Sequence, residues 1–263
     1  LLTVLAVYRL TDEATHRNLR RRWSQKLLAI LGVELRVAGQ AIQPGCMLVA
    51  NHISWLDIFV INALAPSAFV SKAEVRGWPL IGCLAARNET VFLRRGSRGH
   101  AKIINAEIAA RLDAGRNVAV FPEGTTTDGS HVLHFHAALL QPAIECGHAI
   151  QPVALSYHAP DGTFSRAPAY DGDVSLGQSL AAIIAEPRFI ARVVVIDPLS
   201  TTKDTSRREI ARRAHDAIVS TIGREDTEFT NASSPVDDYP HEPKAANSIR
   251  AQTTVEAGTA QLP

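Results

Sequence analysis

Two stretches of this chain hold side chains able to move a proton or grip a polar substrate. In Asn51-His52-Ile53-Ser54-Trp55-Leu56-Asp57 a histidine precedes a carboxylate by five residues. Neutral imidazole, with an ordinary pKa of about 6.5, takes a proton from a hydroxyl near neutral pH and later releases it. A carboxylate on its other ring nitrogen fixes the tautomer and stabilises the imidazolium. The nucleophile would then be the substrate's own alcohol. Ser54 lies beside His52 but not in a Gly-x-Ser-x-Gly elbow, which argues against an acyl-serine enzyme. Taken alone, the spacing also suits a histidine that caps a helix or bonds a loop carbonyl. The second stretch, Pro122-Glu123-Gly124-Thr125-Thr126-Thr127-Asp128-Gly129, is a polar loop.

The elements that must position these residues are legible around them. Met47-Leu48-Val49-Ala50 and Val118-Ala119-Val120-Phe121 read as short buried strands, so each polar stretch leaves a strand end. Asp57 opens a helical pattern whose first turn brings its carboxylate back to the His52 ring. The free N–H groups of that turn are expected to face the site, where they would serve an oxyanion. Further strands are expected at 34–37, 68–71, 90–93, 151–157 and 189–196. Ile104, Ile108 and Leu112 mark a helix over 100–114 that stops at Gly115. Ser206-x-x-Glu209 opens another that runs to Ile222. The alternation predicts an α/β fold: a mostly parallel central sheet with helices on both faces, preceded by an amphipathic N-terminal helix. In such sheets ligands bind beyond the strand C-termini, which is where His52 and Glu123 fall.

On these residues the chain resembles the 1-acyl-sn-glycerol-3-phosphate acyltransferase family, whose hallmarks are an Asn-His-x-x-x-x-Asp block and a downstream Phe-Pro-Glu-Gly-Thr block. Both are complete here, and Val91-Phe92-Leu93-Arg94-Arg95 and Ile150-Gln151-Pro152-Val153-Ala154 match two weaker blocks. The similarity covers roughly residues 25–222. It implies that His52 is the general base that deprotonates a lysolipid hydroxyl and that Asp57 orients it. It implies that Arg95 holds the acceptor phosphate, a guanidinium matching phosphate oxygens as a bidentate fork. Glu123, Gly124 and Thr125 match the block assigned to acceptor binding, with Glu123 expected to organise the cation rather than touch the phosphate. Arg94 departs from the family, where an acidic residue is usual.

The resemblance further implies transfer from an acyl thioester, coenzyme A or acyl carrier protein, to the sn-2 hydroxyl of 1-acylglycerol 3-phosphate, giving phosphatidic acid. No metal or other cofactor is expected. Similar bacterial enzymes acylate lyso-ornithine lipid, and the blocks do not separate the two acceptors. A lipid hydrolase and a non-catalytic lipid-binding protein are more distant alternatives. Lys72, Arg76, Trp78 and Pro79 form a cationic and aromatic stretch that would suit an acidic donor, or a plain loop before a helix.

Composition sets the bounds. The chain has 263 residues, 46% of them apolar, enough for one large α/β domain with extensions. A formal net charge of +1 argues against nucleic acid as a partner. Cys46, Cys83 and Cys146 are scattered, which offers no disulfide framework and fits the cytoplasmic side of a membrane. His131, His134 and His136 lack the spacing of a metal site.

Three segments follow. Residues 1–31 are read as membrane-associating. Their first eight are apolar but fall short of the ~20 needed to span a bilayer, so they suit the tail of an anchor or a buried helix end. A helix from Thr15 to Leu31 places Leu19, Trp23, Leu27 and Ile30 on one face, beside Arg17, Arg20, Arg21, Arg22 and Lys26. That pattern suits the cytoplasmic face of the plasma membrane, bound peripherally or through an anchor. Residues 32–223 form the acyltransferase domain, and 224–263 read as a disordered tail.

Overall fold

The computed structural model describes residues 12–72, 90–93, 98–186, 188–223 and 234–235. Arg94, Arg95, Arg76, Trp78 and Pro79 lie outside the described residues, as do 1–11 and all of the expected tail except Ser234 and Pro235.

Eight strands form one sheet: β1 (Val33–Gly39), β2 (Met47–Ala50), β3 (Ser67–Lys72), β4 (Val91–Leu93), β5 (Asn117–Val120), β6 (Ile150–His158), β7 (Phe189–Val195) and β8 (Ser234–Pro235). Their spatial order is β4-β3-β5-β2-β6-β7-β1-β8. The first five run parallel to one another. β7 lies antiparallel to β6, β1 parallel to β7, and β8 antiparallel to β1. The sheet is thus mostly parallel, as expected. Each of the seven strand regions read from the sequence holds a strand, displaced by a residue or two at its ends. β2 sits centrally between β5 and β6, and all four of its residues are buried, which suits a strand covered on both faces.

Helices α1 (Glu13–Ile30), α2 (Asp57–Leu64), α3 (Arg98–Asp113), α4 (Gln141–Cys146), α5 (Leu176–Ala185) and α6 (Arg207–Ile222) cover the two faces. Leu28 of α1, Phe59 of α2 and Ile183 of α5 share a core with Leu48, Val153, Leu155 and Tyr157. Ile108 of α3, Ile144 of α4 and Ile218 of α6 share the other with Val49, Val120 and Ala154. The alternation along β6 sends Tyr157 to the first face and Ser156 to the second.

α1 packs on the domain by a face other than its most apolar one. Its core-facing residues are Arg20, Ser24 and Leu28, spaced by four. Gln25 Nε2 also donates to the Ala63 carbonyl of α2. Of the expected apolar face Leu27 packs against the core and Trp23 meets Phe59 of α2 edge-on with ring centroids 5.4 Å apart, while Leu19, Trp23 and Ile30 all keep exposed surface, Ile30 at 80%. These three lie within ~40° of one another around the helix and form an apolar stripe to the side of the core-facing residues. Two helices were not anticipated. α5 opens with a reciprocal capping box between Ser175 and Gln178, and α4 ends on the left-handed Gly147.

Candidate active site

β2 and β5 are adjacent and parallel, so the loops leaving their C-terminal ends emerge side by side. One holds His52 and the other Glu123. Asn51 continues the strand order by one residue beyond the Ala50–Val153 pair. Its side-chain amide donates to the Leu155 carbonyl at 2.9 Å and its oxygen accepts the Leu155 N–H at 2.8 Å. A side chain thereby replaces the next rung of the ladder, and the backbone is free to turn at His52.

His52 Nδ1 lies 2.8 Å from Asp57 Oδ2. Asp57 is fully buried, whereas the His52 side chain keeps 20% of its surface exposed. The same Oδ2 accepts the N–H groups of Ile53 at 2.7 Å and Ser54 at 2.9 Å, and Oδ1 accepts the Tyr157 hydroxyl at 2.7 Å. Four donors around one carboxylate fix its position against the ring, where it can orient and support an imidazolium. With the carboxylate as acceptor, Nδ1 carries the hydrogen and Nε2 the lone pair. The ring stacks on Phe121 at 3.9 Å and an interplanar angle of 9°, so its plane is fixed from the side as well. The pair expected from spacing is therefore assembled.

Glu123 holds backbone groups of both loops. Its Oε1 accepts the His52 N–H and its Oε2 the Leu133 N–H, both at 2.7 Å. Glu123 is thus a clamp. It joins the His52 backbone to both ends of its own loop. Burial pushes its carboxyl above the ordinary range, and the two N–H bonds oppose that shift. Thr127 N–H donates to the His52 carbonyl at 2.9 Å, so both backbone groups of His52 are tied to this loop. Gly124 adopts a left-handed φ of 72° and Thr125 is exposed, which leaves both at the open side of the loop. Gly129, at φ 84°, presses against Ile53: a Cβ there would stand 3.1 Å from the Ile53 side chain.

Several of the N–H groups at the start of α2 that were expected to serve an oxyanion are already engaged. The N–H groups of Ile53 and Ser54 serve Asp57, that of Leu56 serves the Ser54 hydroxyl, and those of Asp57, Phe59 and Val60 bond backbone carbonyls. Ser54 is fully buried in that role. Arg95 belongs to the segment outside the described residues. His131, His134 and His136 do not form a metal-ligating group of three or more with any His, Cys, Asp or Glu among the described residues.

Tyr157 and Asn51 are the site residues that sequence reasoning missed. Burial raises the Tyr157 hydroxyl pKa well above its ordinary value, and the adjacent Asp57 charge raises it further, so Tyr157 remains a neutral donor. Its presence on the α2 face follows from the alternation Val153, Leu155, Tyr157. Its partner does not, because that depends on β6 lying beside β2.

The assembled dyad can take a proton from a hydroxyl and return it to a leaving group. The acyltransferase family model matches residues 33–156, which contain both hallmark loops and the dyad. Lyso-ornithine lipid O-acyltransferase of Pseudomonas aeruginosa is 42% identical over 202 residues, 77% of each chain. The chain belongs to the acyltransferase family. The 1-acyl-sn-glycerol-3-phosphate acyltransferase of Neisseria meningitidis is 34% identical over 194 residues, 73% of this chain and 76% of that protein. The crystal structure of the 1-acyl-sn-glycerophosphate acyltransferase PlsC from Thermotoga maritima has the same fold. The match has a TM-score of 0.62 at 20% identity and covers 86% of this chain and 87% of the other. This acyltransferase therefore has a lysophospholipid-acyltransferase architecture, with His52 and Asp57 at the C-terminal end of its central strand.

Proposed function

We propose that this enzyme moves a fatty acyl group from an acyl thioester to the free hydroxyl of a lysolipid at a membrane surface. The observation that carries the reading is the His52–Asp57 pair, fixed by four donors to the carboxylate and open at the ring. His52 Nε2 takes the proton of the acceptor hydroxyl as its oxygen attacks the thioester carbonyl. The tetrahedral intermediate then expels the thiolate, and the imidazolium returns the proton to sulfur. The products are an ester and a free thiol, and no cofactor enters the balance.

Two acceptors fit, and each is named for a relative. The 42% identity with the Pseudomonas aeruginosa enzyme supports lyso-ornithine lipid. The second reading, 1-acylglycerol 3-phosphate converted to phosphatidic acid, is supported by the Neisseria meningitidis relative and by Arg95 as a phosphate ligand.

Membrane contact through α1 is part of the proposal. Leu19, Trp23 and Ile30 are exposed along one stripe, with Arg22 and Lys26 exposed beside it. Such a face buries apolar side chains at the acyl boundary and places its cations against anionic head groups. No helix among the described residues is long and apolar enough to cross a membrane. A peripheral position on the cytoplasmic face fits this stripe.

The test is acyl transfer by the purified protein from a long-chain acyl-coenzyme A, with each lysolipid offered separately and none in a control. An acylated lysolipid formed only when acceptor is present supports the reading. Free fatty acid released without acceptor would instead make the protein a hydrolase.

A further inference from the structure

A groove that the mechanism above does not use runs along one side of α5. Its polar end is formed by Asp128, Arg166 and Asp171, and its wall includes Ala169, Val174 and Ala182. The groove is stitched to the catalytic loop at three points. Thr127, next to Asp128, donates its N–H to the His52 carbonyl. Tyr170, between Ala169 and Asp171, donates its N–H to the Ile53 carbonyl at 2.9 Å, and its own carbonyl accepts the Thr126 hydroxyl. Trp55 Nε1 donates to Ser179 Oγ at 3.1 Å, and Ser179 also lines the groove. Both strips of chain that frame the groove are thus one residue away from a direct bond to the His52–Ile53 backbone.

We propose that this groove holds the acceptor's head group, and that it selects a zwitterionic head carrying an ammonium over a phosphate monoester. The proposal rests on the lysolipid acyltransferase reading and names the acceptor class of that site. Arg166 Nη2 and Asp128 Oδ2 are paired at 2.9 Å, and both keep exposed surface. Opposite charges set side by side match a head group that carries both signs. An ammonium meets Asp128 and Asp171, while a carboxylate meets the Arg166 guanidinium. Two carboxylates against one guanidinium leave the polar end net negative. A phosphate monoester, which bears only negative charge, is repelled there.

The Asp128 carboxylate is already oriented for this. Its Oδ1 accepts the Ser130 N–H at 2.9 Å and the Ser130 hydroxyl at 2.6 Å, which leaves Oδ2 toward Arg166. His131 Nδ1 stands 3.6 Å from Oδ1, on the side away from that pair. The apolar wall then continues from the charged end along α5, where an acyl chain is accommodated. The outer face of the same helix exposes Leu180 and Ile184. The groove thus combines charged residues whose chain neighbours bond the His52 and Ile53 carbonyls with one side of an apolar helix.

Asp128→Asn tests this with little structural disturbance, because the amide oxygen can still accept from Ser130. Steady-state transfer from a long-chain acyl-coenzyme A is measured to lyso-ornithine lipid and, separately, to 1-acylglycerol 3-phosphate. For lyso-ornithine lipid the expected result is a rise in KM of about tenfold with kcat nearly unchanged, because uniform binding of a charged group is lost. For the phosphate acceptor KM is expected to fall or stay level, and Asp128→Lys is expected to lower it further. Equal effects on both acceptors, or none, would overturn the head-group site while leaving the acyltransferase reading intact. A wild-type preference for the phosphate acceptor would overturn the proposed selection. Failure of wild type to acylate either lipid would remove the reading and this proposal with it.

Discussion

Asp57→Asn removes one charge from the dyad and almost nothing else. In the wild type, Oδ2 receives His52 Nδ1–H and the N–H groups of Ile53 and Ser54, and Oδ1 receives the Tyr157 hydroxyl. An asparagine can place its oxygen at the three-donor position and its NH₂ toward Tyr157, whose oxygen then accepts instead of donating. Only the Tyr157 hydroxyl hydrogen loses its acceptor, at a cost of about 1–3 kcal/mol, so the fold should persist. What is lost is the attraction between Asp57 and the imidazolium that forms as His52 takes the acceptor proton. With charge centres about 4 Å apart and an effective dielectric constant of about 20, that attraction is about 4 kcal/mol. At about 1.4 kcal/mol per decade, kcat should fall about a thousandfold. The assay follows thiol release from acyl-coenzyme A with saturating lysolipid, alongside thermal unfolding of both proteins. A variant that melts close to wild type and loses about three decades in kcat matches the account. A variant with normal stability and a kcat within fivefold of wild type would refute the role given to Asp57.

Other predictions test the supports of the dyad. Tyr157→Phe withdraws one donor from a fully buried carboxylate, so a stability loss of about 1.5–3 kcal/mol is expected. With it should come a roughly tenfold fall in kcat at unchanged KM, read from denaturant midpoints and steady-state kinetics. Glu123→Gln turns an NH₂ toward either the His52 or the Leu133 N–H and should cost about 1–3 kcal/mol at neutral pH. Because burial raises the Glu123 carboxyl in the fold, the native state binds its proton more tightly than the unfolded chain. Its contribution to stability therefore declines as pH rises from the ordinary carboxylate range through the raised value, and the glutamine variant should lack that decline in pH-dependent unfolding. Replacing Leu19 and Ile30 together by serine should leave thermal stability nearly unchanged. Co-sedimentation with anionic vesicles should weaken about tenfold or more, since both side chains are exposed.

The sheet was legible because its strands are short apolar runs ended by polar or glycine-containing loops, and β2 and β5 are the clearest of them. The dyad was legible for a local reason: one helical turn returns Asp57 to His52. What stayed hidden depends on which strands become neighbours. That Glu123 holds the His52 N–H depends on β5 lying beside β2. Tyr157 meets Asp57 only because β6 lies on the other side of β2. In α1 the extent of the helix was readable but its orientation was not. Both a Leu19–Trp23–Ile30 stripe and an Arg20–Ser24–Leu28 stripe run along it, and packing against α2 chose the less apolar one. The Ser175-x-x-Gln178 signature of α5 was present in the sequence, but the short segment behind it contains Gly177 and follows a run of Asp and Gly.

The central claim is that His52 is the base that activates a lysolipid hydroxyl. Its most direct test is a single-turnover measurement with acyl-coenzyme A and excess lyso-ornithine lipid or 1-acylglycerol 3-phosphate, comparing wild type with His52→Ala. The account predicts that wild type forms the acylated lipid in step with thiol release, and that the variant binds both substrates but forms neither product above background. Acylated lipid formed by His52→Ala at the wild-type rate would contradict it.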